Sequence, residues 1–70
     1  MKECIKNEVG KLRMQSGVTQ EDLANKVSVS RQTIIALEKG NYTPSILLAL
    51  KIAGCFKMPV EKVFKISYEK

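Results

Sequence analysis

Residues 20–37, QEDLANKVSVSRQTIIAL, carry apolar side chains at the spacing that two short helices need if they cross over one shared face. Leu23, Ala24 and Val27 stand at i, i+1 and i+4 of a first helix, and Ile34 and Leu37 at i and i+3 of a second. Val29 closes the join between them from the inside. The second helix then turns Arg31, Gln32, Ile35, Ala36 and Lys39 outward. That outward set includes side chains able to hydrogen-bond base edges or phosphates.

Signals flanking this stretch set its limits. Thr19 followed by Asp22 forms a capping box with a shorter acid, so one helix begins at Gln20. Glu21 adds negative charge where the helix dipole favours it. Ser28 stands in the turn, and Ser30 is placed to cap the next helix by accepting from the amide of Thr33. That helix runs to about Lys39, where Gly40 and Asn41 stop it. Upstream, Val9, Leu12 and Met14 predict a first helix over residues 6–16, ended by Gly17. Gly10 lies inside it, so either the helix depends on tertiary packing or the glycine allows close approach by a neighbour. Downstream, Thr43-Pro44-Ser45 opens a fourth helix over residues 45–54, with Pro44 tolerated in its first turn. Its Ile46, Leu47, Leu48, Ala49, Leu50, Ile52 and Ala53 are apolar nearly all round, which predicts a central helix buried on most faces. Pro59 opens a short fifth helix to about Phe64.

Residues 64–68, FKISY, alternate apolar and polar with the period of a strand. A strand needs a partner, and residues 1–5 are the other uncommitted segment, so the termini are expected to pair as two antiparallel strands. The chain of 70 residues reads as one domain, with most of its 44% hydrophobic content committed to a single core.

Composition narrows the chemistry. Twelve Lys and Arg against seven Asp and Glu give a net charge of +5, which favours a polyanionic partner. The chain has no histidine, so the commonest general base and metal ligand are missing. Cys4 and Cys55 show no C-x-x-C spacing and read as two reduced, partly buried thiols, with a redox-sensing pair as the sharper alternative. No metal, cofactor or small-molecule ligand is expected. The apolar run 46–50 is far too short for a bilayer span, and residues 1–9 do not resemble a signal peptide. The expectation is a cytoplasmic protein without a membrane partner.

The motifs T-Q-E-D-L-A, V-S-R-Q-T-I, E-K-G-N-Y-x-P-S and P-V-E-K-V-F, in this order over residues 9–64, resemble the Cro/phage-repressor-type helix-turn-helix proteins of the XRE family. The resemblance implies an all-α, five-helix, lambda-repressor-like DNA-binding domain with the helix-turn-helix at residues 20–38. Short members often add a small terminal β-sheet, in agreement with the alternation at residues 64–68. It implies a homodimeric transcriptional regulator, most simply a repressor, that reads a palindromic double-stranded operator with the third helix in the major groove. Carried over by position, Arg31, Gln32, Thr33 and Ala36 fall at base-contacting places, and Gln20, Ser30, Lys39, Asn41 and Tyr42 at backbone-contacting ones. Arg suits the O6 and N7 of guanine, and Gln the N6 and N7 of adenine. Ile35 could pack on the next helix or touch a base methyl, and Tyr42 could meet a phosphate or cover apolar surface. Arg13 and Glu38 match a structural ion pair between the first and third helices. Where relatives commonly place glycine in the turn, this chain has Ser28.

A dimer would use apolar side chains from the fifth helix and tail, with Phe56, Met58, Val60, Val63, Ile66 and Tyr68 as candidates. Two other readings compete. One is an antitoxin-type interaction module that binds a toxin and regulates its own operon. The other is an enzyme, for which no nucleophile, acid pair or base constellation is visible.

Overall fold

Val9, Leu23, Ala24, Val27, Ile34, Leu37, Leu48, Ile52, Ala53 and Val63 converge into one core, so each helix contributes at least one buried side chain. The computed structural model describes residues 2–69. In chain order they form β1 (Lys2–Asn7), α1 (Val9–Gln15), α2 (Gln20–Lys26), α3 (Arg31–Glu38), α4 (Ile46–Cys55), α5 (Val60–Val63) and β2 (Phe64–Glu69). The two strands pair antiparallel, with Ile5 opposite Ile66 and Asn7 opposite Phe64.

The terminal pairing is thus present, and it is longer than the alternation at the C-terminus suggests. Lys6 and Asn7, expected in the first helix, extend β1 instead; Met1 lies outside the described residues. Asn7 is the cause. Its side-chain oxygen accepts from the Val9 amide at 3.1 Å, starting α1 there. Its side-chain nitrogen donates to the Leu37 carbonyl at 2.9 Å, tying the strand to the end of α3. The Glu8 amide donates to the Val63 carbonyl at 2.9 Å, a second tie between the ends of the chain. A two-stranded sheet is marginal alone, and these bonds, with Phe64 packed against the core, anchor it.

Helices α2, α3 and α4 begin on a hydroxyl cap: Thr19, Ser30 and Ser45 accept from the amides of Asp22, Thr33 and Leu48. The capping box is reciprocal, because the Asp22 carboxylate accepts from the Thr19 amide at 3.3 Å. Ser45 is the cap of α4, so Pro44 sits just before it rather than in the first turn. The ends of α1 to α4 share one form. In each, the residue after the cap has positive φ, at Gly17 (70°), Ser28 (62°), Gly40 (83°) and Lys57 (54°). The next amide then closes a wide loop, from Val18 to Arg13, Val29 to Ala24, Asn41 to Ala36 and Met58 to Ala53, at 2.9 to 3.1 Å. Glycine relieves two of these turns and not the others. Left-handed backbone costs a non-glycine residue about 1 to 2 kcal/mol, offset in part by the entropy glycine adds to the unfolded chain. Ser28→Gly is therefore expected to raise stability by about 1 kcal/mol, read as a higher urea midpoint at unchanged slope.

One expectation is overturned in α4. Only Leu48, Ile52 and Ala53 are buried, whereas Ile46, Leu47 and Leu50 are 80, 64 and 53% exposed. With the core on one side only, the helix has two faces despite its nearly uniform apolar composition. Met14 is likewise exposed, leaving Val9 and Leu12 to dock α1. Cys55 is exposed rather than partly buried, and Cys4 is half-buried.

Candidate nucleic-acid interface

The outward side of α3 follows from what its inward side buries. Ile34 and Leu37 have no exposure, so the helical period turns Gln32, Ile35, Ala36 and Lys39 away from the core and Arg31 to one flank. Arg31, Gln32 and Lys39 are exposed, while Thr33, Ile35 and Ala36 are half-buried. Ser30 fixes where this surface starts. Its Oγ accepts from the Thr33 amide at 3.2 Å and lies 3.0 Å from the Thr33 hydroxyl, so these two hydroxyls already engage each other. Arg31 and Gln32 thus stand in the first turn of a firmly capped helix, the end at which recognition helices present side chains to base edges.

Behind α3, one carboxylate organises three helices. The Arg13 Nε donates to Glu38 Oε2 at 2.7 Å and Nη2 to Oε1 at 3.2 Å, a two-pronged pair joining α1 to α3. Arg13 Nη1 donates to the Val18 carbonyl at 3.0 Å. Gln20 Nε2 donates to Glu38 Oε1 at 3.2 Å, bringing in the first residue of α2. The Arg13 and Glu38 side chains are 15 and 12% exposed. The hydrogen bond to Glu38 holds the Arg13 guanidinium above its ordinary pKa, with partial burial opposing and the charge of Glu38 assisting. Gly10 leaves room for this carboxylate: a Cβ there would lie 3.3 Å from Glu38 Oε1. Close packing is thus the use of that glycine.

The side chains singled out in the sequence fall into three places. Gln20 and Arg31 line one groove, together with Arg13, Thr19 and Glu21, so the α2 N-terminus and the α3 N-terminus meet on one surface. Tyr42 lies elsewhere, in a depression with Ser28, Ser45, Leu47 and Lys51 beside the motif's turn. Lys39 shares a third with Lys6 and Asn7, at the far end of α3, about 12 Å from Arg31 for a rise of 1.5 Å per residue. Asn41 is exposed, with its backbone amide spent on the turn after α3.

Among the apolar candidates for a dimer contact, Val63 has no exposure and belongs to the core. Phe56, Met58 and Val60 are half-buried against that core, and Ile66 and Tyr68 are each 59% exposed. Sequence reasoning missed Asn7 and the exposed face of α4. An asparagine just before an apolar run is a visible capping signal; its second partner, 30 residues away, is not. Among the described residues no helix is long and apolar enough to cross a membrane.

The helix-turn-helix family model matches residues 9–63. The chain is 51% identical over 65 residues to the HTH-type transcriptional regulator YgzD of Bacillus subtilis, covering 93% of this chain and 98% of that protein. It is 53% identical over 60 residues to the HTH-type transcriptional regulator MJ0272 of Methanocaldococcus jannaschii, covering 86 and 91%. Its fold is similar to that of the restriction-modification controller protein C.AhdI from Aeromonas hydrophila, with a TM-score of 0.73, 25% identity and coverage of 79 and 83%. The transcriptional regulator VanUg, at 20% identity and a TM-score of 0.77 over 99% of this chain and 92% of that one, shares the fold. With the capped α3, its outward polar face and the Arg13–Glu38 brace already in place, these matches show that the chain belongs to the Cro/phage-repressor-type helix-turn-helix family of DNA-binding transcriptional regulators.

Proposed function

We propose that the 70 residues act as one cytoplasmic DNA-binding domain that represses transcription, binding a palindromic operator as a homodimer with α3 in the major groove. One observation carries the reading: Arg31 and Gln32 stand exposed in the first turn of a capped helix, and Arg31 shares a groove with Gln20. In this reading Arg31 and Gln32 contact bases, with Thr33 and Ala36 beside them. Gln20 spends one side-chain N–H on Glu38, which orients the carboxamide, and offers the other to a phosphate. Ser30, Lys39, Asn41 and Tyr42 supply further backbone contacts from the two ends of α3.

A single recognition helix reads only a few base pairs, so two copies are required for useful discrimination in a genome. Selection of binding sites from random duplexes is expected to return an inverted repeat with half-sites about 10 bp apart, one helical turn. Recovery of no preferred sequence would overturn the reading. Repression is checked by transcription from a promoter carrying the selected site, where added protein is expected to lower transcript yield. The net charge of +5 predicts binding that weakens steeply with salt.

A further inference from the structure

The exposed face of α4 has no role in the fold or in the proposed contacts of α3 with DNA. Ile46, Leu50 and Gly54 stand at i, i+4 and i+8, so they form one line along the outside of the helix, with Leu47 beside it. Ile46 and Leu50 are 80 and 53% exposed. Gly54 is the second observation. It has no positive φ, and a Cβ built on it meets nothing within 4 Å. Nothing within this chain requires a glycine there, although glycine in a helix is less favourable than alanine. A small residue in line with large exposed apolar ones suits the close approach of another backbone.

We infer that α4 packs against α4 of a second copy of this chain, with Ile46, Leu47 and Leu50 buried between the copies and Gly54 admitting the partner's helix. The inference rests on the homodimer reading above and assigns its surface. The extent of the apolar surface favours a second copy as the occupant. A depression lined by Ile5, Ile66 and Thr43, with Glu3 and Cys4, links the loop before α4 to the sheet, where Tyr68 stands two residues beyond Ile66 and opposite Glu3. Weighted by their fractional exposures, Ile46, Leu47 and Leu50 present about 400 Å² on α4, and Ile5, Ile66 and Tyr68 about 300 Å² more on the sheet. Only the two together exceed the few hundred Å² usual on a monomer and approach the ~800 Å² per partner of a stable interface, so a second copy that covers α4 also reaches the sheet.

The placement also suits DNA. Half-sites about 34 Å apart put each recognition helix about 17 Å from the two-fold axis. Ile34 and Leu37 of α3 meet Leu48, Ile52 and Ala53 of α4 in one core, so an axis against the outer face of α4 leaves α3 beyond that core. The molecule is 22 to 23 Å across its shorter dimensions, which accommodates the distance.

The test is sedimentation equilibrium of the full chain, as wild type, Leu50→Glu and Gly54→Gln, with circular dichroism to confirm folding. The wild type is expected at twice the 7.8 kDa chain mass. Each variant is expected to raise the dissociation constant at least about tenfold while keeping its helical spectrum. Gly54→Gln has open space in the single chain and decides the matter should Leu50→Glu fail to fold. If folded Gly54→Gln dimerises within less than that factor of wild type, the α4 surface is wrong and the homodimer reading stands. If the wild type is monomeric at every concentration reached, both fall.

Discussion

Replacing Arg13 with alanine is expected to lower the unfolding free energy by about 2 to 4 kcal/mol, short of the full cost of orphaning one partner of a buried ion pair because both side chains keep some contact with solvent. The change removes both bonds to Glu38 and the bond to the Val18 carbonyl, and leaves a carboxylate that is 12% exposed with the Gln20 amide alone. For a domain of this size each kcal/mol moves the melting temperature by about 4 to 8 °C, so a fall of more than about 10 °C is expected. An exposed pair would cost less than about 1 kcal/mol, and that smaller result would refute the brace. Arg13→Met combined with Glu38→Leu is expected to recover most of the loss, because no charge is then left unpaired. The guanidinium's folded pKa is raised, so its share of the stability is fully present below its unfolded value and lost only as strongly alkaline pH rises through the folded value. Titration from neutral to mildly alkaline pH should leave that share unchanged. Folded Arg13→Ala, assayed well below its melting temperature, is expected to select the same DNA sequence as wild type, since Arg13 and Glu38 position α3 and Gln20 and are not among the side chains proposed to meet bases.

Local chemistry explains how much was legible beforehand. Thr19, Ser30 and Gly40 act within three or four residues of themselves, so the limits of α2 and α3 follow from neighbours along the chain. The strand at residues 64–69 shows its period in the same way. What stayed hidden depends on distant partners. Asn7 is held by Leu37, and Gln20 by Glu38, 18 residues away. The period of α4 carries no information about its orientation, because a helix apolar on all sides has no stripe to aim at the core. Only the packing of Leu48, Ile52 and Ala53 shows which side faces inward, and so exposes Ile46 and Leu50. For the same reason Val63 and Ile66, alike as apolar side chains near the C-terminus, part company: one closes the core and the other overhangs it.

Arg31→Ala is expected to weaken binding to the selected operator by about 5- to 150-fold per half-site, the equivalent of 1 to 3 kcal/mol for one bidentate base contact. The proposed symmetric dimer would make the contact twice, so the effect on the whole complex is expected to approach the square of that factor. Gln32→Ala should act at a different base pair, since the two side chains are about 100° apart around α3. Each loss should appear as relaxed preference at one position of the half-site, with the other positions retained. Lys39→Ala serves as the contrast, because Lys39 is exposed at the far end of α3 and is proposed to meet only phosphate, a contact that discriminates between no sequences. That change should weaken all duplexes alike and reduce the slope of log affinity against log salt by about 0.9 for each contact removed. Selection repeated with each variant separates these outcomes directly. If Arg31→Ala and Gln32→Ala both return the wild-type site with undiminished preference at every position, the sequence is read by other residues, even though the chain binds DNA.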